Sequence, residues 1–371
     1  MADSSAPDIS GLLRRFAVTG ELLEARPYGA GHINATYLVT LDHHGARARY
    51  ILQRVNTGVF KDPAAVMENI ARITAHLHAK FAAAGVRDGA RRGMTFLPAC
   101  AGGNWVRAED GGAWRLAVFI ERARTLEIAD SPGAAFEAAK AFAWFQALLA
   151  DLPGNRLHET IPGFHDTPER LKAFERAVKA DAAGRAAGCA REIAFALDQR
   201  EWAATLATAY HRGLMPERVT HNDTKINNVL LDEDGTGLCV IDLDTVMPGL
   251  SLHDFADLAR STLSLTAEDE PDTAKVRLRL DYFAALARGY LVHARAFLTR
   301  AELDLLHLSP IVITYEQALR FLKDHLEGDA YYRIHRPGQN LDRCRTQLRL
   351  VELMLEKRGE MERLAREACA S

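Results

Sequence analysis

No CxxC pair occurs in this sequence, and its five cysteines (Cys100, Cys189, Cys239, Cys344, Cys369) are odd in number and scattered. That excludes a disulfide framework or a thiolate zinc site and suits reduced thiols. No block of Lys or Arg exists, and the formal net charge is −3, so composition gives no basis for a nucleic-acid-binding face. Long apolar runs are missing too. The most apolar helical stretch, 134–150, is interrupted by Glu137, Lys140 and Gln146 and is too short to span a bilayer. Residues 1–10 have neither the basic nor the apolar region of a secretory leader. There is no internal repeat and no low-complexity linker. The expectation is a cytoplasmic protein whose partners are small molecules rather than nucleic acid or membrane.

What is present is an ordinary globular composition, 48% hydrophobic and 26% charged over 371 residues, enough for two packed domains. Residues 21–55 read as strands, with alternating Tyr37, Val39 and Leu41, a polar turn at Gly45, and a second run "YILQRV". Asp62-Pro63 supplies an N-cap and a proline at the first helical position. Val66, Ile70, Ile73, Leu77 and Phe81 then fall at helical spacing, which predicts a helix over 63–83. The runs "MTFLPA" and "WRLAVFIE", separated by turn-rich "AEDGG", predict a further hairpin. From Ser131-Pro132 the pattern becomes helical, over 134–150, 167–213, 272–297 and 310–368, with an aromatic break at "DAYYRIHRPGQN". A β-rich domain over 1–122 and a helical domain over 123–371 are expected, joined by a link near 121–130.

The main β interruption of the second half is "HNDTKINNVLLDEDGTGLCVIDLDTVMPG", residues 221–249. Its centre reads as a hairpin, apolar strand, Asp/Gly turn, apolar strand. A hairpin returns the chain to its start, so Asp242 comes back beside Asn228 and Asp223. Phosphoryl transfer needs such a set: a carboxylate to take the hydroxyl proton, an Asn and an Asp to hold Mg²⁺, and a Lys to offset phosphate charge. Taken singly, Asp and Asn in a polar loop often only cap turns. By the same reading His221 is a loop-backbone brace, and Asp257 in "LHDFADLAR" braces the catalytic loop.

The segment resembles the catalytic loop of the protein-kinase-like fold, His-x-Asp-x-Lys-x-x-Asn, with "IDLD" at the place of the metal-binding Asp. It is similar to the aminoglycoside phosphotransferase/choline kinase family. "GAGHINATY", "YILQRVNTGVF" with "MENI", "FIE", and "LRFLKDHLEGDAYY" with "NLDRCRTQ" look like its N-acetylhexosamine 1-kinase branch. The resemblance implies an α+β, protein-kinase-like bilobal fold with a small β-rich N-terminal lobe and a mostly helical C-terminal one. It implies Asp223 as catalytic base, Lys225 as phosphate contact, and Asn228 and Asp242 as metal ligands, with Asp244 as a further candidate. Gly31 and His32 would lie in a loop over the nucleotide phosphates, and Phe119–Glu121 would offer backbone groups to adenine. Asn34, Arg320 and Tyr331 would touch the acceptor. ATP and Mg²⁺ are the implied cofactors, and a free N-acetylhexosamine, phosphorylated at its anomeric hydroxyl, the implied substrate. Alternatives are a kinase of another sugar or a small amino alcohol, or a catalytically inactive nucleotide-binding regulator.

The sequence departs from the kinase pattern at the third strand. Where a phosphate-binding Lys is usual, "YILQRV" has Gln53 followed by Arg54, whose side chains alternation sends to opposite faces, so only one of them can be the nucleotide-phosphate contact, Gln53 by alignment or Arg54 by charge. The acid on the next helix is equally doubtful. Glu68 lies about 180° from the apolar stripe and should face solvent, so no Lys–Glu pair is expected.

Overall fold

The computed structural model describes residues 7–29 and 33–370. The chain divides into two compact units. The first is Met1–Arg122 with two short later segments, His158–Ile161 and Leu243–Thr245; the second is Ala123–Leu157, Pro162–Asp242 and Val246–Ser371.

The first unit contains α1 (Ile9–Leu13), β1 (Glu21–Pro27), β2 (Ala35–His43), β3 (Ala46–Val55), α2 (Pro63–Ala83), α3 (Gly89–Arg92), β4 (Val106–Arg107) and β5 (Ala113–Val118). Its strands form one antiparallel sheet in the order β1-β2-β3-β5-β4. Alternation puts Val39, Leu41, Leu52, Trp114 and Leu116 on one side, where they pack with Phe16 into a core. Helix α2 has the predicted bounds because Asp62 accepts the N–H groups of Ala64 and Ala65 and Pro63 needs no donor. Glu68 is exposed and lies 3.0 Å from His158.

The hairpin ending in β5 differs from expectation. Its other strand is Val106–Arg107, not "MTFLPA". Residues 95–97 do run beside β5, with Leu97 N–H donating to the Leu116 carbonyl and Val118 N–H to the Thr95 carbonyl. Pro98 has no N–H to continue the ladder, so this run forms one isolated bridge instead of a strand.

The second unit contains β6 (Ala123–Arg124), α4 (Pro132–Leu149), α5 (Thr167–Ala180), α6 (Ala190–Asp198), α7 (Thr205–His211), β7 (Arg218–Thr220), β8 (Val229–Asp232), β9 (Gly237–Val240) and β10 (Met247–Gly249). Helices α8 (Ser251–Thr262), α9 (Leu280–Ala294), α10 (Arg300–Leu305), α11 (Ser309–Leu326), α12 (Gln339–Glu356) and α13 (Arg358–Ala370) complete it. Helices α4 and α9 pack side by side. Gly289 permits the approach, since a Cβ there would stand 2.2 Å from the Phe136 carbonyl oxygen. Helix α11 packs against α12, α8 and α5. The two small sheets, β6-β8-β9 and β7-β10, carry the segment singled out in the sequence. The aromatic break after α11 is pinned by buried Asp324, which accepts the N–H groups of Tyr331 and Tyr332 and a bond from Asn340.

Candidate active site

In the second unit, strand β7 ends at Thr220 and the chain turns sharply. Asn222 takes φ +65°, the left-handed region that Asn tolerates better than most residues. The turn sends the N–H groups of His221 and Asn222 to one acceptor, the buried carboxylate of Asp254 on α8, at 2.9 and 2.7 Å. Gln146 of α4 donates to the same carboxylate. One turn along α8, Asp257 accepts Thr224 N–H at 2.8 Å and pairs with Arg260. Asp254 thus serves the loop backbone. His221 does the same: its Nε2–H donates to the Ile241 carbonyl at 2.9 Å, and its Nδ1 accepts Asp223 N–H at 3.3 Å. Such an arrangement requires the neutral ring with its proton on Nε2.

This framework presents Asp223. Lys225 Nζ lies 3.4 Å from Asp223 Oδ1, and that carboxylate holds the ammonium above its usual pKa. Asn228 donates its side-chain N–H to the Asp223 carbonyl at 2.8 Å and approaches Oδ2 at 3.3 Å. With its nitrogen so engaged, Asn228 keeps its amide oxygen, the atom that binds metals. The β8–β9 hairpin pairs Val229 with Val240, and Ile241 N–H donates to the Asn228 carbonyl at 2.9 Å. The residue after Ile241 is Asp242, at φ +60°. Asp223, Lys225 and Asn228 thus stand together, and the hairpin returns the chain to Asn228 one residue before Asp242. The Gly ending "VMPG" is also explained: a Cβ on Gly249 would stand 2.3 Å from Thr220 Oγ1, directly beneath the loop.

Beside the loop lies a buried polar group. His165 Nδ1 is 2.8 Å from Glu316 Oε1 on α11, and Thr167 donates to Glu316 Oε2 at 2.6 Å. Burial would push the Glu316 carboxyl up, but His165 overrides it and holds the group down at about 2. His253 packs on His165, ring centroids 4.9 Å apart, and burial with the neighbouring charge of His165 pushes it down to about 3.

Arg320 does not pair with Asp324, one turn along α11. It donates to Gln317 at 3.0 Å and lies 5.0 Å over the Phe164 ring and 5.7 Å from the Tyr332 ring. Arg170 donates to the Phe164 carbonyl at 2.9 Å, and its pKa is lowered by burial and then by the charge of Arg320. Tyr331 is exposed, its ring edge-on to Tyr332 at 4.8 Å.

In the first unit, Gln53 and Arg54 take different protein partners. Arg54 turns outward to Asp110 at 2.9 Å. Gln53 lies opposite Arg115 in the ladder, and its amide oxygen accepts Arg115 Nε–H at 2.9 Å. Arg115, 2% exposed, forms an ion pair with Asp244 Oδ1, while Asn34 donates to Asp244 Oδ2 at 2.7 Å. Both oxygens of Asp244, expected to face a metal, are thus taken by protein donors. The Asn34 amide, expected at the acceptor, is likewise engaged, its oxygen accepting Asn56 N–H at 2.9 Å. Glu121 pairs with Arg49, which lies 4.3 Å over the Phe119 ring. Gly31 and His32 lie outside the described residues.

The sequence reading missed Arg115, His165 and Glu316. A lone Arg in the apolar run "AWRLAV" was the available signal, since an unpaired charge is almost never buried. His165 and Glu316 are 151 residues apart and leave no local trace.

Among the described residues, no group of three His, Cys, Asp or Glu side chains is arranged to hold a metal ion. No described helix is long and apolar enough to cross a membrane.

The phosphotransferase enzyme family profile matches residues 24–295, and the chain belongs to that family. Among solved structures, an aminoglycoside phosphotransferase from Alicyclobacillus acidocaldarius subsp. acidocaldarius DSM 446 is similar at TM-score 0.59 and 15% identity, over 98% of this chain and 97% of that one. An ethanolamine kinase from Plasmodium vivax gives 0.54 and 15% over 87% and 82%. A choline kinase from Cryptosporidium parvum Iowa II gives 0.53 and 12% over 90% and 89%. At these identities the likeness establishes the kinase-like fold, and the family match gives the class, a phosphotransferase.

Two predictions follow from the charges. Removing one partner of a buried ion pair leaves the other uncompensated, so Arg115→Leu or Asp244→Leu alone should cost about 3–5 kcal/mol in urea unfolding. The double variant should recover most of that loss; equal losses in all three would deny the pairing.

The second concerns pH. His253 falls from 6.5 to about 3 on folding and Glu316 from 4.5 to about 2, so below neutrality the unfolded chain binds more protons at both. Stability should therefore drop as pH falls from about 6.5 toward 2, His253 acting first. His253→Leu should flatten the limb between about 6.5 and 3 in pH-dependent thermal unfolding.

Proposed function

We propose that this protein is an ATP- and Mg²⁺-dependent kinase of a small hydroxylated molecule, with the anomeric hydroxyl of a free N-acetylhexosamine as the acceptor. The observation that carries the kinase reading is the convergence of Asp223, Lys225, Asn228 and the hairpin end at Asp242 in a chain of the phosphotransferase family. Asp223 takes the proton of the acceptor hydroxyl, whose oxygen bonds to the γ-phosphorus of ATP as the bond to the β–γ bridging oxygen breaks and ADP departs. Lys225, held charged by Asp223, offsets the charge of the transferring group. The Asn228 amide oxygen and the Asp242 carboxylate are the hard oxygen donors that suit Mg²⁺. Bound there, the metal would neutralise charge on the ATP phosphates.

Electrostatics favour a sugar over an amino alcohol. A choline-type cation needs open aromatic faces. The Phe164 and Tyr332 rings are already faced by the Arg320 guanidinium, which lies close enough to Arg170 that burial and then its charge lower the Arg170 pKa. Two positive charges there repel an ammonium and suit the oxygens of a polyhydroxylated acceptor. The hexosamine assignment itself rests on the sequence likeness to that branch. An anomeric hydroxyl is more acidic than other sugar hydroxyls, so a carboxylate base suffices.

Asp223→Asn should lower kcat by about 10²–10⁴-fold, the usual worth of a general base, with ATP Kd nearly unchanged. Near-wild-type turnover would reject the base. With GlcNAc or GalNAc, ATP and Mg²⁺, phosphorus NMR should show a product coupled to the anomeric proton and labile in acid. A 6-phosphate product, or turnover of choline or homoserine alone, would overturn the hexosamine assignment.

A further inference from the structure

The peptide between Asn222 and Asp223 is held at both of its polar groups by histidines. Its N–H donates to His221 Nδ1 at 3.3 Å, and its C=O lies 3.0 Å from His165 Nε2. A carbonyl oxygen can only accept, so His165 must carry a proton on Nε2. The other ring nitrogen, Nδ1, faces the Glu316 carboxylate at 2.8 Å, and there too an ionised partner can only accept. Satisfying both contacts requires a doubly protonated imidazolium. His221, by contrast, must be neutral to accept at Nδ1. One peptide is thus gripped by two histidines in opposite protonation states.

We propose that His165, kept charged by Glu316, is a positioning residue for the reaction, fixing the Asn222–Asp223 peptide plane and through it the direction of the Asp223 carboxylate. It touches neither substrate nor reacting atoms. The proposal rests on the reading of Asp223 as the base.

Physically, the need is clear. Asn222 sits at φ +65°, where no regular ladder is available to hold the following peptide. Rotation of that plane would swing Asp223 on its Cα, and misplacement of about 1 Å can cost 10²-fold in rate. The imidazolium is maintained by what faces it. Glu316 and Thr167 form one wall, and Asp257 of α8 adds a second negative charge. His253, also on α8, is held neutral and does not add a repelling charge. Burial works against the charged ring, yet the combined acceptors leave its pKa raised.

Three variants and one spectroscopic readout test this. His165→Leu removes both donors, and kcat should fall at least tenfold while the KM for ATP stays within twofold. His165→Gln retains an amide N–H able to reach the Asn222 carbonyl and should recover part of the loss. Should His165→Leu fail to fold, Glu316→Gln decides the matter, because it keeps the shape but withdraws the charge, and kcat should again fall at unchanged KM for ATP. In wild-type protein labelled with ¹⁵N-histidine, assigned by the His165→Gln spectrum, both His165 ring nitrogens should be protonated at pH 7.5. A kcat within twofold of wild type in the folded variants, or a bare nitrogen on His165, would overturn the clamp. Absence of turnover by the wild type with every acceptor would instead defeat the kinase reading. The NMR result would then decide by itself whether the charged clamp exists.

Discussion

The carboxylate of Asp254 accepts two successive backbone N–H groups, those of His221 and Asn222, and the geometry of the second unit depends on that contact. A loop that must present side chains cannot satisfy its own backbone through a ladder, and buried N–H groups left unpaired would cost as much as lost hydrogen bonds. Here a neighbouring helix supplies the acceptors. Helix α8 is suited to it because nearly all of its residues are buried and it is itself cross-linked. The Tyr290 hydroxyl of α9 stands 2.9 Å from both the Gln146 side chain of α4 and the Ser251 carbonyl of α8. Gln146 in turn reaches Asp254. The loop inherits the rigidity of three packed helices.

Apart from Asp254, which backbone and amide N–H groups satisfy, the carboxylates around the loop are matched by cations. Asp257 has Arg260, Glu316 has His165, and Asp223 has Lys225. At Asp257 and Glu316 the adjacent cation outweighs burial and holds the carboxyl below its usual pKa. Arg170 and Arg320 break the pattern, for the charge of Arg320 lowers the Arg170 pKa, second only to burial.

Much of this was legible in the chain. Helix α2, helix α4 and the β8–β9 hairpin follow from caps, periodicity and turn residues, which are local signals. The loop set at Asp223, Lys225, Asn228 and Asp242 was legible for the same reason, since one hairpin brings it together. "MTFLPA" misled because apolar alternation says nothing of how a proline such as Pro98 stops a ladder. The His165–Glu316 contact was illegible because it depends on how α11 packs against the segment before α5. Arg320 and Asp324 illustrate a third limit: spacing of four residues permits an ion pair, but backbone amides after α11 compete for Asp324 more effectively.

The third strand shows how a missing residue can mislead in the opposite direction. Gln53 stands where the kinase pattern has a lysine, which gave the inactive-regulator alternative its only support. In the sheet, however, Gln53 is register partner to Arg115, and its amide oxygen steadies the guanidinium at Nε. An amide can accept where a lysine could only have repelled. The planar fork of Arg115 then binds Gln53 with one edge and Asp244 with the other, a geometry that a single ammonium point charge cannot match. Positive charge has moved one strand over, from β3 to β5, and the neutral residue at 53 is what allows it to sit there. The absence of lysine at that position therefore accompanies a rearranged charge network in which the neutral amide has a structural role of its own.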